Sequence, residues 1–71
     1  MLLPNGSMIK QDVIDAFNKA VVNPENLDQN GAIDWDFVDA DIHLDLSKYY
    51  ASDYLGECLD ALADDFILHR S

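Results

Sequence analysis

The spacing of apolar residues divides the chain into three segments. Ile9, Val13, Phe17, Ala20 and Val21 recur at helical intervals, and Lys10, Gln11, Asp12, Asp15 and Lys19 occupy the opposite face. Ser7 stands where a helix cap belongs. Pro24 ends the segment nearby, because Asn23 before a proline avoids the helical region. Residues 23–32 read as loop, with Pro24, Asn26, Asp28 and the Asn30-Gly31 pair as turn formers. The last segment is the clearest. Ser52 can cap it, and Leu55, Cys58, Leu59, Leu62 and Phe66 form one apolar stripe. Directly opposite lie Asp53, Glu57, Asp60 and Asp64, spaced i, i+4, i+7, i+11.

The middle segment, residues 33–46, reads two ways. As a helix capped by Asp34, it places Trp35, Val38, Ile42 and Leu46 in one narrow stripe, with Asp34, Asp41 and Asp45 beside it. As strands, Ile33, Trp35 and Phe37 alternate with Asp34 and Asp36. After one slip, Ala40, Ile42, Leu44 and Leu46 alternate with Asp39, Asp41, His43 and Asp45. Aspartate is depleted in strands, and no turn chemistry explains the slip at Val38-Asp39, which favours the helix. The expected fold is therefore all-α, a small three-helix domain with helices at about 7–22, 34–46 and 52–69. The alternative is α+β, with a short hairpin in 33–46 flanked by two helices. The expected core is Ile9, Val13, Phe17, Trp35, Val38, Ile42, Leu55, Leu59, Leu62 and Phe66.

Length makes this one domain, 1–71, with a marginal core, since a chain of this size buries only about 60% of its unfolded surface. At 49% hydrophobic, with seven aromatic residues, it is too apolar to be a disordered acidic tail. Self-repulsion opposes the compact state, and a homodimer is plausible on the size argument alone. The single cysteine, Cys58, excludes an internal disulfide framework and points to a cytoplasmic setting. The longest apolar run is far short of the roughly 20 residues that span a bilayer. The N-terminus lacks the charged and apolar regions of a signal peptide. Gly6-Ser7-Met8 reads like a cloning junction before a native start at Met8, which would make residues 1–7 an expression tag. The alternative is a natural N-terminus with Ser7 as the cap.

Charge changes the picture most. The chain has a formal net charge of −10, from twelve Asp and two Glu against four Lys plus Arg. Helical proteins usually take acidity as Glu, because Asp is the poorer helix former. A short carboxylate has few rotamers, so its charge stays in a defined place. The first 22 residues are neutral, so the entire excess lies from Asn23 onward, where twelve acids face Lys48 and Arg70. That half also carries most of the large apolar residues, so the acidity belongs to a folded surface.

Folding gains nothing from the row on the last helix. Like charges at i,i+3 and i,i+4 cost a few tenths of a kcal/mol per pair. Asp64 and Asp65 also lie near a helix C-terminus, where the dipole disfavours anions. A continuous surface built from Asp34, Asp41, Asp45, Asp53, Glu57, Asp60 and Asp64 would resemble a row of backbone phosphates to a protein that grips nucleic acid through Lys and Arg. It would compete for such a groove by fast, salt-sensitive association. The bland reading of the same row is a solvated face.

Other chemistry is weaker. Residues 26–34 resemble the middle of an EF-hand calcium loop, with Asn26, Asp28 and Asn30 as positions one, three and five, Gly31 as the turn glycine and Asp34 as the ninth. The twelfth position, normally a bidentate Glu, is Phe37. A loop that only looks like a calcium site is the better reading, and no metal or cofactor is expected. Asp39, Asp41, His43 and Asp45 would face one way only on a strand. Cys58 lies on the apolar stripe beside Glu57, a setting that disfavours a thiolate. No Ser-His-Asp order and no phosphate-binding glycine loop is present, so an enzyme is not expected.

In size, charge and lack of catalytic motifs, the whole chain loosely resembles the small acidic inhibitors encoded by phages and mobile elements, anti-CRISPR proteins and other DNA mimics among them. That resemblance implies a protein partner that normally holds DNA or RNA, with no direct contact to nucleic acid. The rival expectation is an interaction or adaptor module that binds through an apolar face.

Overall fold

The computed structural model describes residues 2–3 and 6–70, with the side chain of Arg70 left aside. Three helices make the fold: α1 (Gln11–Val21), α2 (Trp35–Leu46) and α3 (Ser52–Arg70), with one 3₁₀ turn, Pro24–Asn26, after α1. Among the described residues there is no strand, only two isolated bridges, Leu2 to Met8 and Leu27 to Ile33. Residues 33–46 are therefore a helix from Trp35 onward and not a hairpin.

Each boundary has a local cause. Asp34 caps α2 as its position suggests, its Oδ1 accepting from the backbone N–H groups of Asp36 at 3.2 Å and Phe37 at 3.4 Å. Asn23 is extended before Pro24, and its side chain caps the 3₁₀ turn by accepting from the Glu25 N–H at 3.0 Å. Gly31, at φ 82°, closes the turn between Asp28 and Ala32, a left-handed conformation that glycine adopts without strain.

Two capping expectations are corrected. Helix α1 starts at Gln11, four residues after Ser7, and Lys10 fills the cap position without a side-chain hydrogen bond. The Ser7 carbonyl is engaged elsewhere, accepting from the Leu3 N–H at 2.7 Å. Gly6, at φ 88°, lets the chain reverse there. Ser52 is the first residue of α3 rather than its cap, because the Leu55 N–H donates to the Ala51 carbonyl at 3.1 Å.

The core gathers Ile9, Val13, Phe17, Val38, Ile42, Leu55, Leu59 and Leu62, as the stripes indicate, and adds Ala20, Val21, Leu46 and Cys58. It also includes Leu3, only 3% exposed. Trp35 and Phe66 are half-buried and pack against this core. They meet Phe17, with ring centroids 5.9–6.2 Å apart, so one residue from each helix joins an aromatic triad. A second aromatic pair, Tyr50 and Tyr54, holds the N-terminal arm. The Tyr54 hydroxyl donates to the Met8 carbonyl and accepts from the Lys10 N–H, each at 3.1 Å, while Tyr50 donates to Asp12 at 2.9 Å.

Candidate protein-interaction surface

Helix α3 presents the acidic row that its sequence promises. Leu55, Cys58, Leu59 and Leu62 face inward, and Asp53, Glu57, Asp60 and Asp64 are exposed on the far side. Eleven residues of helix separate the first carboxylate from the last, about 16 Å along the axis at 1.5 Å per residue. That places one carboxylate every 5 Å or so, against about 3.4 Å of rise per phosphate along one DNA strand. The row is thus a sparser line of charge than a nucleic-acid strand. Asp65, about a quarter-turn round the helix from Asp64, lies 3.2 Å from His69 and is paired when that imidazole is protonated.

The three acids expected from α2 do not extend this row simply. Asp34 is committed to the helix cap. Asp41 is half-buried and accepts from the Asn26 side-chain amide at 3.0 Å, so it is turned toward the α1–α2 connection. Asp45 is exposed. Asp39 pairs with His43 at 3.1 Å on the same helix, away from Asp41, so the Asp39-Asp41-His43-Asp45 set does not act as one group.

The loop that resembles a calcium site has its side chains engaged in holding the fold. Asn26 is 6% exposed and donates from its amide to the Ala20 carbonyl and to Asp41, tying the end of α1 to α2. Asp28 accepts through one oxygen from the N–H groups of Asn30 at 2.8 Å and Ala32 at 3.0 Å. Asn30 is exposed. Among the described residues no three His, Cys, Asp or Glu side chains are grouped to hold a metal ion. Burial pushes the Cys58 thiol up, and the nearby Glu57 charge adds to it, which keeps it protonated.

One surface was not singled out from the sequence. The outward side of α2 is apolar: Phe37 is 55% exposed and Leu44 78%, with exposed Ala40 between them. These residues, with Asn23, Glu25, Asn26 and Asp41, line an open groove of about 310 Å³. The i, i+3, i+7 spacing of Phe37, Ala40 and Leu44 was the available signal. It was hidden because α2 carries a second apolar stripe on its inner side.

No described helix is long and apolar enough to cross a membrane. No protein-family model, curated protein or solved structure matches the chain.

Proposed function

We propose that this protein is a non-catalytic binding protein that blocks a basic nucleic-acid-binding site on another protein, acting in the cytoplasm in the manner of a DNA-mimic or anti-CRISPR-like inhibitor. The observation that carries the reading is the outer face of α3. Asp53, Glu57, Asp60 and Asp64 stand exposed on three turns of a helix whose packing uses only the opposite stripe. Like charges at these spacings cost helix stability, which favours a role for the row in binding. Asp45 adds an exposed carboxylate on α2, while Asp34 and Asp41 contribute field but are tied to their own backbone and loop.

The test is retention of host proteins at low salt on the immobilised protein, beside a D53N/E57Q/D60N/D64N variant. A nucleic-acid-binding protein should be retained by the wild type, released at moderate salt, displaced by added DNA or RNA, and lost from the variant. Retention that resists salt and survives in the variant overturns the reading. It would favour the second one, an adaptor or dimer that binds through an apolar face, which the exposed Phe37 and Leu44 support.

A further inference from the structure

We infer that the groove on the outer side of α2 receives an apolar side chain from a basic partner segment, one with Lys or Arg about a turn to either side. The inference deepens the proposed function by adding an apolar anchor to an electrostatic contact. Its evidence is separate from the acidic row.

The walls and the rim differ in chemistry. Phe37, Ala40 and Leu44 give an apolar wall one helix face wide, and Glu25 and Asp41 place carboxylates on its border. Exposed apolar patches rimmed by polar groups mark binding surfaces more often than single scattered residues do. The volume, about 310 Å³, is at the small end for ligand pockets, enough for one or two aliphatic side chains and too open to enclose a cofactor.

Charge decides the occupant. A second copy of this chain, docked by the same face, would bring a second −10 protein up against the first. In a two-fold pair the Glu25 and Asp41 rims would also face each other's acidic surroundings. An amphipathic helix with basic flanks has the opposite sign. Laying such a helix into an apolar groove is a common mode of recognition, with anchors spaced like the wall residues themselves. The basic flanks would meet Glu25 and the Asp41 oxygens, while the apolar anchor displaces water from Phe37 and Leu44. Apolar contact of this kind lengthens the life of a complex that charge has brought together.

The experiment uses two synthetic peptides of equal charge, a Leu–Lys amphipathic helix and a Lys–Ser peptide without apolar residues. Each is titrated into isotopically labelled protein while the amide shifts are followed. The Leu–Lys peptide should move the amides of Asn26, Phe37, Ala40 and Leu44, and Phe37→Ser or Leu44→Ser should weaken it on the order of tenfold. Ala40→Arg, a substitution at an exposed helical position, should weaken it at least as much with unchanged thermal unfolding. The D53N/E57Q/D60N/D64N variant should still bind the Leu–Lys peptide in the groove, which separates this inference from the acidic-row reading. Three results overturn it: shifts confined to α3, affinity unchanged in the Ala40→Arg protein, or a concentration-dependent dimer whose dilution moves the same α2 amides. A Lys–Ser peptide that binds α3 alone, while the Leu–Lys peptide ignores the groove, would leave the acidic row standing and remove the anchor.

Discussion

Helices α2 and α3 are built from similar residues and solve their surfaces in opposite ways. Up to Phe66, helix α3 separates its residues, with apolar side chains inward and carboxylates outward; beyond it Ile67 and Leu68 are exposed. Helix α2 is apolar twice, inward at Val38, Ile42 and Leu46 and outward at Phe37, Ala40 and Leu44, with its acids confined to the flanks between. Folding accounts for one apolar stripe per helix in a three-helix domain. The second stripe on α2 and the acid row on α3 are therefore what this molecule carries beyond the needs of its fold. One is a surplus of apolar area and the other a surplus of charge.

The sharpest way to break the comparison is to shorten one residue on each side of α2. Ile42 is 1% exposed, and Ile42→Ala should cost about 2–5 kcal/mol in denaturant unfolding. Leu44→Ala, on the outer side, should stay within about 0.5 kcal/mol of wild type. Equal losses would mean that the outer stripe is part of the packing and free for nothing else. The same contrast can be drawn between carboxylates. Asp34→Ala removes a helix cap and should destabilise by about 0.5–2 kcal/mol. Neutralising Asp53, Glu57, Asp60 and Asp64 together should raise the melting temperature slightly at low salt, since each relieved pair returns a few tenths of a kcal/mol. A lower melting temperature would make the row structural.

The smallest effect is alkaline. The hydrogen bond to Asp12 pushes the Tyr50 hydroxyl above its ordinary 10.0, and burial pushes Tyr54 the same way. A phenol with a raised pKa in the folded state stabilises below its unfolded pKa, and that contribution disappears as pH climbs through the folded value. The difference in melting temperature between wild type and Tyr50→Phe should therefore be present at about pH 8 and shrink toward about pH 11. A difference that persists undiminished would show that Tyr50 acts through ring packing alone.

The sequence made the helices legible where one stripe dominates. In α3, Leu55, Leu59, Leu62 and Phe66 repeat without interruption, and Asp34 marked the start of α2 correctly. Residues 33–46 were ambiguous for a physical reason that the structure makes clear. Two helical stripes, Trp35-Val38-Ile42-Leu46 and Phe37-Ala40-Leu44, interleave into an alternation that imitates a strand with one slip. The imitation of a calcium loop has a similar origin. The order of Asn26, Asp28, Asn30 and Asp34 mimics a ligand set, but Asn26 is turned to Ala20 and Asp41, while Asp28 and Asp34 cap the backbone beside them. Ser7 failed as a cap because its carbonyl is held by Leu3, and the arm is held in turn by Tyr54, far along the chain.

That last tie has a consequence for the order of folding. Helices α2 and α3 are joined by five residues, 47–51, so their docking closes a small loop. The Tyr54 bonds to Met8 and Lys10 span 46 and 44 residues, and the entropy of closing a loop grows with its length. Contacts of such separation reward the chain only after the segments between them have assembled. The arm is thus a latch that closes, like the Phe17–Phe66 contact 49 residues apart, after α2 and α3 have docked, and Leu3 and Ile9 enter the core as it shuts. An alkaline melt would release this latch before the aromatic triad, and the native molecule would breathe first at its N-terminal edge.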